Sequence, residues 1–499
     1  MPVEGKNLIA GQWMPAAGGA AFESTNPAQT DEVIGRFPRS GAGDAGRAVA
    51  AAKEAFPGWR ALSRVRRGEL FDEFVQLVKA EREKLAELVS RECGKPINEG
   101  LADVVEGIHM AQYVVGTTRM PHGQVLASEF AQKDSFVVRK PKGVMAVITP
   151  WNFPFAIPLW LMGPSLVEGN TVVFKPSEDT PAVGGRLAEL MREAGFPPGV
   201  VNLLHGTGEE AGAPLVSHPD VEAVLFTGSF EVGQAIRRVC AASDHRLAVC
   251  EMGGKNALIV LKDARLDMAV KAGILSAFKT AGQRCVSAGR ILIEEPIYEA
   301  YCERFVEMAR RVRVGDPLDA ATFMGPLINE AAVQKVSGYN RLAREEGGEV
   351  LYDGSALKGA DYRRGHFMGP FVYRMEHGAR SRVLREEVFG PHVALVPVRD
   401  VDHAIEVYND TPYGLACSVV TEDYRKARRV QAECEFGLGY VNLPTIGAEV
   451  HLPFGGVKRS GTGMPSAAAL ADAVTHKVAW TVNHAEAIEL AQGLSAEVK

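Results

Sequence analysis

Val144-Met-Ala-Val-Ile-Thr149, Thr171-Val-Val-Phe-Lys175, Val200-Val-Asn-Leu-Leu204 and Val221-Glu-Ala-Val-Leu-Phe-Thr227 are four short, mostly apolar runs in close succession. Helix-patterned stretches separate them: Ile157 to Glu168, Pro181 to Ala194 and Glu209 to Ser217. A further helical stretch, Glu231 to Ala242, leads to a fifth run, Arg246 to Met252, which stops at Gly253-Gly254. Apolar runs of strand length, bounded by turn residues, read as strands buried on both faces. Strands that alternate with helices are joined by crossovers, so the segment predicts a doubly wound parallel sheet with helices on both faces.

Beyond Lys255 the alternation begins again. Ala257 to Leu261 reads as a strand, Leu266 to Ala281 as a helix, Arg290 to Glu294 as a strand and Ile297 to Val314 as a helix. Later strands are expected at Val393 to Val398, Ser418 to Thr421 and Gly439 to Asn442, with helices at Val401 to Asn409 and Tyr424 to Glu433. A second α/β domain follows. Before the first sheet, a helix is expected from Gly43 to Phe56 with Asp44 as its cap. A long one follows from Leu62 to Cys93, closed by Gly94 with Pro96 beyond, and a third from Asn98 to Thr117. The strand Ser135 to Pro141, after an irregular polar stretch from Pro121, suggests a projecting hairpin. Thr475 to Val482 is an apolar terminal strand, which pairs either within its own chain or with a second subunit.

A chain of 499 residues is too long for one core, so two or three domains are expected. The net charge of −6 comes with no long basic run, which argues against nucleic acid. The densest basic spots, Arg64-Val-Arg66-Arg67 and Arg310-Arg311-Val-Arg313, read as solvated helix faces. Seven widely spaced cysteines without a Cys-x-x-Cys argue against both a disulfide framework and a zinc site, and favour a reducing, cytoplasmic setting. Met1 to Asn7 lacks the basic-then-apolar pattern of a leader, and no apolar run is long enough to span a membrane.

Several residues could carry chemistry. Cys285, in Gly282-Gln-Arg-Cys285, sits on a short loop between a helix and a strand, where a thiol is both held and reachable. The alternative is an inert, half-buried cysteine. Asn152, in Trp151-Asn-Phe-Pro154, is an amide among aromatics, fit either to serve an oxyanion or to pin backbone. Glu251 ends an apolar strand, where a carboxylate is either paired or raised in pKa by desolvation, and a raised pKa suits a general base. Glu386-Glu387 is a second acidic turn of the same ambiguity. Lys175 and Glu178 at a strand's carboxyl end can grip a ribose diol, and an acid there disfavours a 2′-phosphate. Gly228-Ser229 opens a helix and suits a phosphate, or is a plain tight turn. Gly206-Thr-Gly208-Glu-Glu-Ala211 matches a dinucleotide loop, but its two glutamates would meet the phosphates.

In combination these motifs resemble the NAD(P)-dependent aldehyde dehydrogenase superfamily, from about Leu8 to Val482. The resemblance rests on Pro150-Trp-Asn152-Phe-Pro, Lys175-Pro-Ser-Glu178, Phe226-Thr-Gly-Ser229, Glu251-Met-Gly-Gly254, Gly282-Gln-Arg-Cys285, Glu386-Glu-Val-Phe389-Gly-Pro and Pro453-Phe-Gly-Gly456, in the family's order. It implies two Rossmann-like domains with a hairpin and terminal-strand oligomerisation element. Residues 1–120 and 143–252 would be the NAD-binding domain, 253–459 the catalytic domain, and 121–142 with 471–499 the oligomerisation element. It implies Cys285 as nucleophile, Asn152 with the Cys285 amide as oxyanion hole, and Glu251 as general base. Cofactor contacts would come from Thr149, Trp151, Lys175, Ser177, Glu178, Gly228, Ser229, Val232, Gly253, Glu387 and Phe389. The implied cofactor is NAD rather than NADP, with no metal. The implied partners are an aldehyde substrate and a second copy of the chain, as homodimer or homotetramer. The Gly206 match then becomes a decoy.

Two features stand apart. Ser460-Gly-Thr-Gly463 is followed by Met464-Pro465 where the family usually has Arg-Glu. Pro444 to His451 is similar to the substrate loop of semialdehyde dehydrogenases acting on α-ketoglutaric or aminoadipic semialdehyde. The rival readings are a CoA-acylating dehydrogenase, disfavoured by Glu251, and a non-catalytic homologue, disfavoured by Cys285, Asn152 and Glu251 together. A cysteine hydrolase would need a histidine beside Cys285.

Overall fold

The structure is a computed structural model that describes residues 2–494 other than 356, 358 and 379. Residues 495–499 of the expected 471–499 element lie outside the described residues.

The five runs between Val144 and Met252 join two strands near the amino terminus in one sheet of seven strands. Its order is Leu247–Met252, Val221–Gly228, Val144–Ile148, Thr171–Lys175, Val201–Leu203, Asn7–Ile9 and Gln12–Met14. The first five are parallel, and the amino-terminal hairpin joins antiparallel at the edge. The chain lays strands outward from Val144–Ile148, then returns to place Val221–Gly228 on its other side. This reversal is a switch point, where the connections diverge and leave a crevice at the strands' carboxyl ends. Two layers fill the faces. One core contains Phe71, Phe74, Val78, Leu159 and Leu161; the other contains Ala48, Val49, Ala52, Leu215 and Ile236.

A second seven-stranded sheet has the order Glu349–Asp353, Phe371–Arg374, His392–Val398, Ala288–Glu294, Asn256–Val260, Ala416–Val420 and Leu438–Val441. All its pairings are parallel except the first. A third sheet is antiparallel, with Lys133–Pro141 between Gln124–Leu126 and Thr475–Asn483. The terminal strand therefore pairs within its own chain, over nine residues from Thr475–Pro141 to Asn483–Lys133. No helix among the described residues is long and apolar enough to cross a membrane.

Four local expectations need correction. The helix before Cys285 is Leu266–Phe278, not Leu266 to Ala281: Lys279–Gly282 is a 3₁₀ turn in which Thr280 and Ala281 take φ of 54° and 53°. The next helix, Tyr298–Arg310, stops short of Val314. Asp44 lies within the helix Ala42–Ala61, and its carboxylate accepts the Gly41 N–H instead of capping from outside. Arg64 and Arg67 are not solvated. Arg67 is buried and donates to the Val167 and Leu62 carbonyls, while Arg64 pairs with buried Glu168, because the end of the helix Ala156–Val167 has carbonyls to satisfy there. The helix Glu330–Glu345 and strands Glu349–Asp353 and Phe371–Arg374 were not expected from the pattern.

The turn ahead of Cys285 depends on one glycine. Gly282 has φ of +70°, and a Cβ there would stand 2.2 Å from the Gly390 carbonyl oxygen. Gly282→Ala is expected to lower stability by more than about 1 kcal/mol, measured by urea denaturation, and to displace the Cys285 loop from the Glu387–Gly390 segment.

Candidate active site

The carboxyl ends of the first sheet face the amino ends of the second. From the first come Pro150, Trp151 and Asn152 after one strand, Gly228 and Ser229 at the end of another, and Glu251 in a third. From the second come Cys285 ahead of Ala288–Glu294 and Glu387 ahead of His392–Val398. The side chains meet around a cavity of about 190 Å³ lined by Trp151, Asn152, Gly228, Ser229, Glu251, Gly253, Cys285, Glu387 and Phe389. Residues as far apart in sequence as Pro150 and Phe454 thus share one chamber, at the switch point of the first sheet.

Cys285 is half-buried, and the other six cysteines are buried; all seven are free. Burial pushes its thiol up to about 12, and the nearby Glu387 and Glu251 add to the effect. The loop is held by Asn256, whose amide donates to the Cys285 carbonyl at 2.6 Å and the Ser287 carbonyl at 3.0 Å. The Asn256 carbonyl oxygen accepts the Ala416 N–H at 2.8 Å. Asn152 is 3% exposed, and its amide donates to the Gln283 carbonyl at 2.9 Å. The backbone-pinning reading of Asn152 is the one this contact shows: one N–H holds the cysteine loop, and a primary amide carries a second N–H.

Glu251 is 3% exposed, and burial holds its carboxyl well above the usual range, opposed by the Gly456 N–H at 3.3 Å. Gly455 packs between this carboxylate and Pro465. A Cβ on Gly455 would lie 2.7 Å from Glu251 Oε1 and 3.0 Å from Pro465 Cα. Among the described residues no ion pair reaches Glu251. Glu387 accepts the Gly254 N–H at 3.0 Å. Burial lifts it to about 7 against the pull of Lys335 and Lys255. Glu386 behaves differently: Arg382 and Tyr339 hydrogen-bond it and hold it low, with burial opposing. Phe389 takes a left-handed φ of 60° and meets Trp151 edge-on, with ring centroids 5.6 Å apart.

A second group lies along the same edge of the sheet, outside that chamber. Lys175 is buried, and its ammonium donates to Glu178 at 3.1 Å and to the Pro176 carbonyl at 3.0 Å. Burial works to raise Glu178, but Lys175 and the Gly208 N–H outweigh it and hold the carboxylate low. Thr149 donates its N–H to the Lys175 carbonyl, and its buried hydroxyl has no partner among the described residues. Ser177 accepts the Asp179 N–H at 3.2 Å. Ser229 caps the helix Phe230–Ala241 by accepting the Val232 N–H at 3.3 Å, and Val232 is exposed on its first turn. In the Gly206–Ala211 loop, Glu210 accepts from Arg39 at 2.5 Å.

Sequence reasoning did not single out Asn256, Ile157, Lys335 or Phe454, although the last three line the chamber. Phe454 lay inside a quoted motif without a role. Lys335 belongs to the helix Glu330–Glu345, whose Asn329 cap, accepting the Ala332 N–H, was a legible signal.

The chain was compared with known proteins as a whole. The model of the aldehyde dehydrogenase family matches residues 13–479. The α-ketoglutaric semialdehyde dehydrogenase of Bacillus subtilis (strain 168) is 34% identical over 456 residues, 91% of this chain and 93% of the relative. The solved betaine aldehyde dehydrogenase from Staphylococcus aureus, in complex with NAD+, has a TM-score of 0.94 at 31% identity, covering 99% of this chain and 97% of that one. An NAD-dependent aldehyde dehydrogenase from Sinorhizobium meliloti has a TM-score of 0.94 at 33% identity, covering 99% and 97%. With the match running from the amino-terminal hairpin to the terminal strand, the chain belongs to the aldehyde dehydrogenase family.

Proposed function

We propose that this enzyme oxidises an aldehyde to its carboxylic acid with NAD+, through a thioester on Cys285. The observation that carries the reading is the convergence of Cys285, Asn152, Glu251 and Glu387 on one chamber.

The residues fit the cofactor. The Lys175–Glu178 pair offers a donor and an acceptor to a ribose diol, and the unpartnered Thr149 hydroxyl lies beside it. Ser229 opens a twelve-residue helix whose amino terminus favours a pyrophosphate. Glu387 would accept from the second ribose, and Phe389 would pack by the nicotinamide. Glu178, held ionised, repels a 2′-phosphate and so favours NAD over NADP. Bound NAD+ supplies the acceptor for a hydride.

Cys285 Sγ, once deprotonated, adds to the aldehyde carbon. The negative charge that develops on oxygen is met by the Asn152 amide and the Cys285 N–H, a type of contact worth a few kcal/mol in transition-state stabilisation. Loss of hydride from the thiohemiacetal carbon leaves a thioester. Glu251 takes a proton from water, the water attacks the acyl carbon, and the carbon–sulfur bond breaks to release the acid and the thiol. A carboxyl raised by burial suits this task near neutral pH.

For the substrate we infer a dicarboxylic semialdehyde such as α-ketoglutaric or aminoadipic semialdehyde. The support is the identity to the Bacillus subtilis enzyme and the Pro444–His451 loop, whose Ile446, Ala448 and Val450 pack on the same core as Cys285 and Phe454. We read 1–120 with 143–252 as the NAD-binding domain and 253–459 as the catalytic domain. The hairpin at 121–142 with 471–499 is read as the contact for a second copy, in a homodimer or homotetramer. The exposed Val125, Leu126 and Trp480 on that sheet support this.

NADH absorbance over a panel of propionaldehyde, betaine aldehyde, succinic semialdehyde and α-ketoglutaric semialdehyde tests the reading, with the last expected to give the highest kcat/KM. Cys285→Ala is expected to abolish turnover, and residual oxidation at the wild-type rate would overturn the nucleophile assignment. Glu251→Gln is expected to give a stoichiometric burst of NADH and then a rate lower by roughly 10²–10⁴-fold, the usual scale of general base catalysis. The raised thiol sets the pH behaviour of the free enzyme: alkylation of Cys285 by iodoacetamide should quicken roughly tenfold per pH unit and show no plateau below pH 10. A plateau near neutrality would show that the thiol is ionised without help.

A further inference from the structure

Lys255 follows the Gly253-Gly254 turn and directly precedes the strand Asn256–Val260. Its side chain runs inward beside Gly289, where a Cβ would stand 3.2 Å from Nζ and 3.3 Å from Cε. The residue is 3% exposed, and Nζ has no hydrogen-bond partner among the described residues. The hydroxyl of Ser287, two residues beyond Cys285, is buried and equally unpartnered. Both line one cavity of about 20 Å³, walled also by Gly282, Ala288, Glu387 and Gly390. A buried amine without a partner is costly, and so is a buried hydroxyl. A polar void of this size accommodates one water, which needs two to four such partners.

We propose that Lys255 is a positioning residue: with Ser287 it holds one buried water that ties the Cys285 loop to the start of the strand Asn256–Val260, in the cavity walled by Glu387 and Gly390. Asn256 fixes this loop from one side through the Cys285 and Ser287 carbonyls. The water bridge fixes it from the side that faces Glu387. The inference rests on the roles proposed above for Cys285 and Glu387 and adds to them a residue that touches neither substrate nor cofactor. The charges around the bridge are mixed. Burial draws Lys255 down to about 7, with Arg290 and Lys335 acting the same way and Glu387 and Glu386 opposing them. His392, at the cavity wall, is kept neutral by burial and by Lys255. Burial raises Glu387, and Glu231 adds to this; Lys335, the Gly254 N–H and Lys255 pull it down. Removing Lys255 therefore loosens the loop and makes Glu387 easier to protonate.

Calorimetric titration of the full-length enzyme with NAD+ across pH 6 to 9 tests this without needing the substrate. Lys255→Met is expected to weaken NAD+ binding roughly tenfold near neutrality and to move the pH at which binding fails to a higher value. Its thermal midpoint should stay close to wild type, since the cost of burying the amine is removed together with its bond to the water and the apolar chain is of similar length. Lys255→Gln, which can still donate to the water, should recover affinity but not the pH midpoint. Ser287→Ala should weaken binding without moving the midpoint. Wild-type affinity and midpoint in Lys255→Met would overturn the proposal. So would a loss that tracks a lowered thermal midpoint and is not recovered by glutamine. Glu387→Gln separates the two claims: unaltered NAD+ affinity there overturns the reading of Glu387, whereas a loss there with none in Lys255→Met overturns the bridge.

Discussion

The carboxamide of Asn256 joins three segments that the rest of the site depends on. It donates to two carbonyls of the Cys285 loop and accepts an N–H from Ala416, on the neighbouring strand. The residue is 1% exposed, so each of these groups would otherwise be a buried polar atom with no partner. Because Asn256 begins the second sheet only two residues after Gly254, the same side chain fixes the thiol relative to the strand that carries Glu251. The loop cannot form regular structure itself: Thr280, Ala281 and Gly282 all have positive φ. It is therefore held by side chains instead of by a ladder.

The electrostatics of the chamber follow from its dryness. Glu251 and Glu387 are both raised by burial, and the thiol between them is raised as well. Two carboxyls and a thiol with little counter-charge form a site poised in its neutral state, and proton movement is then governed by what binds. A cationic ring brought near the thiol would favour the thiolate by the same Coulombic logic that now opposes it. Glu251 itself is met by the Gly456 N–H and, among the described residues, by no charged partner. The Lys175–Glu178 pair, one strand over, is the opposite case: the ammonium beside it holds the Glu178 carboxylate low, available to hydrogen-bond a ligand.

The alternation of strands and helices was legible because buried parallel strands must be apolar along their whole length, and the crossovers between them must be amphipathic. Val144–Ile148, Thr171–Lys175 and Val221–Gly228 fell where the pattern put them. The helix Glu330–Glu345 and the strands Glu349–Asp353 and Phe371–Arg374 went unread. The helix and Glu349–Asp353 are at most partly buried, so the apolar signal is diluted, and Phe371–Arg374, though buried, is a run of only four residues. The basic cluster at Arg64 and Arg67 was misread because charge in a helix usually means solvent. Here the guanidinium groups serve as donors to helix-end carbonyls and to Glu168.

The sequence by itself determined the alternation of strands and helices, the sheet type and the candidate reactive groups, because hydrophobic period and residue chemistry are local properties. Only the tertiary structure decided which groups meet. That Cys285 lies beside Glu387 and Glu251, that Asn152 reaches back to Gln283, and that Lys255 is turned inward with Ser287 depend on contacts between residues far apart in the chain. The pKa directions belong to this second class too. Desolvation is a property of the enclosing chamber, and no residue carries that information until the two sheets close over it.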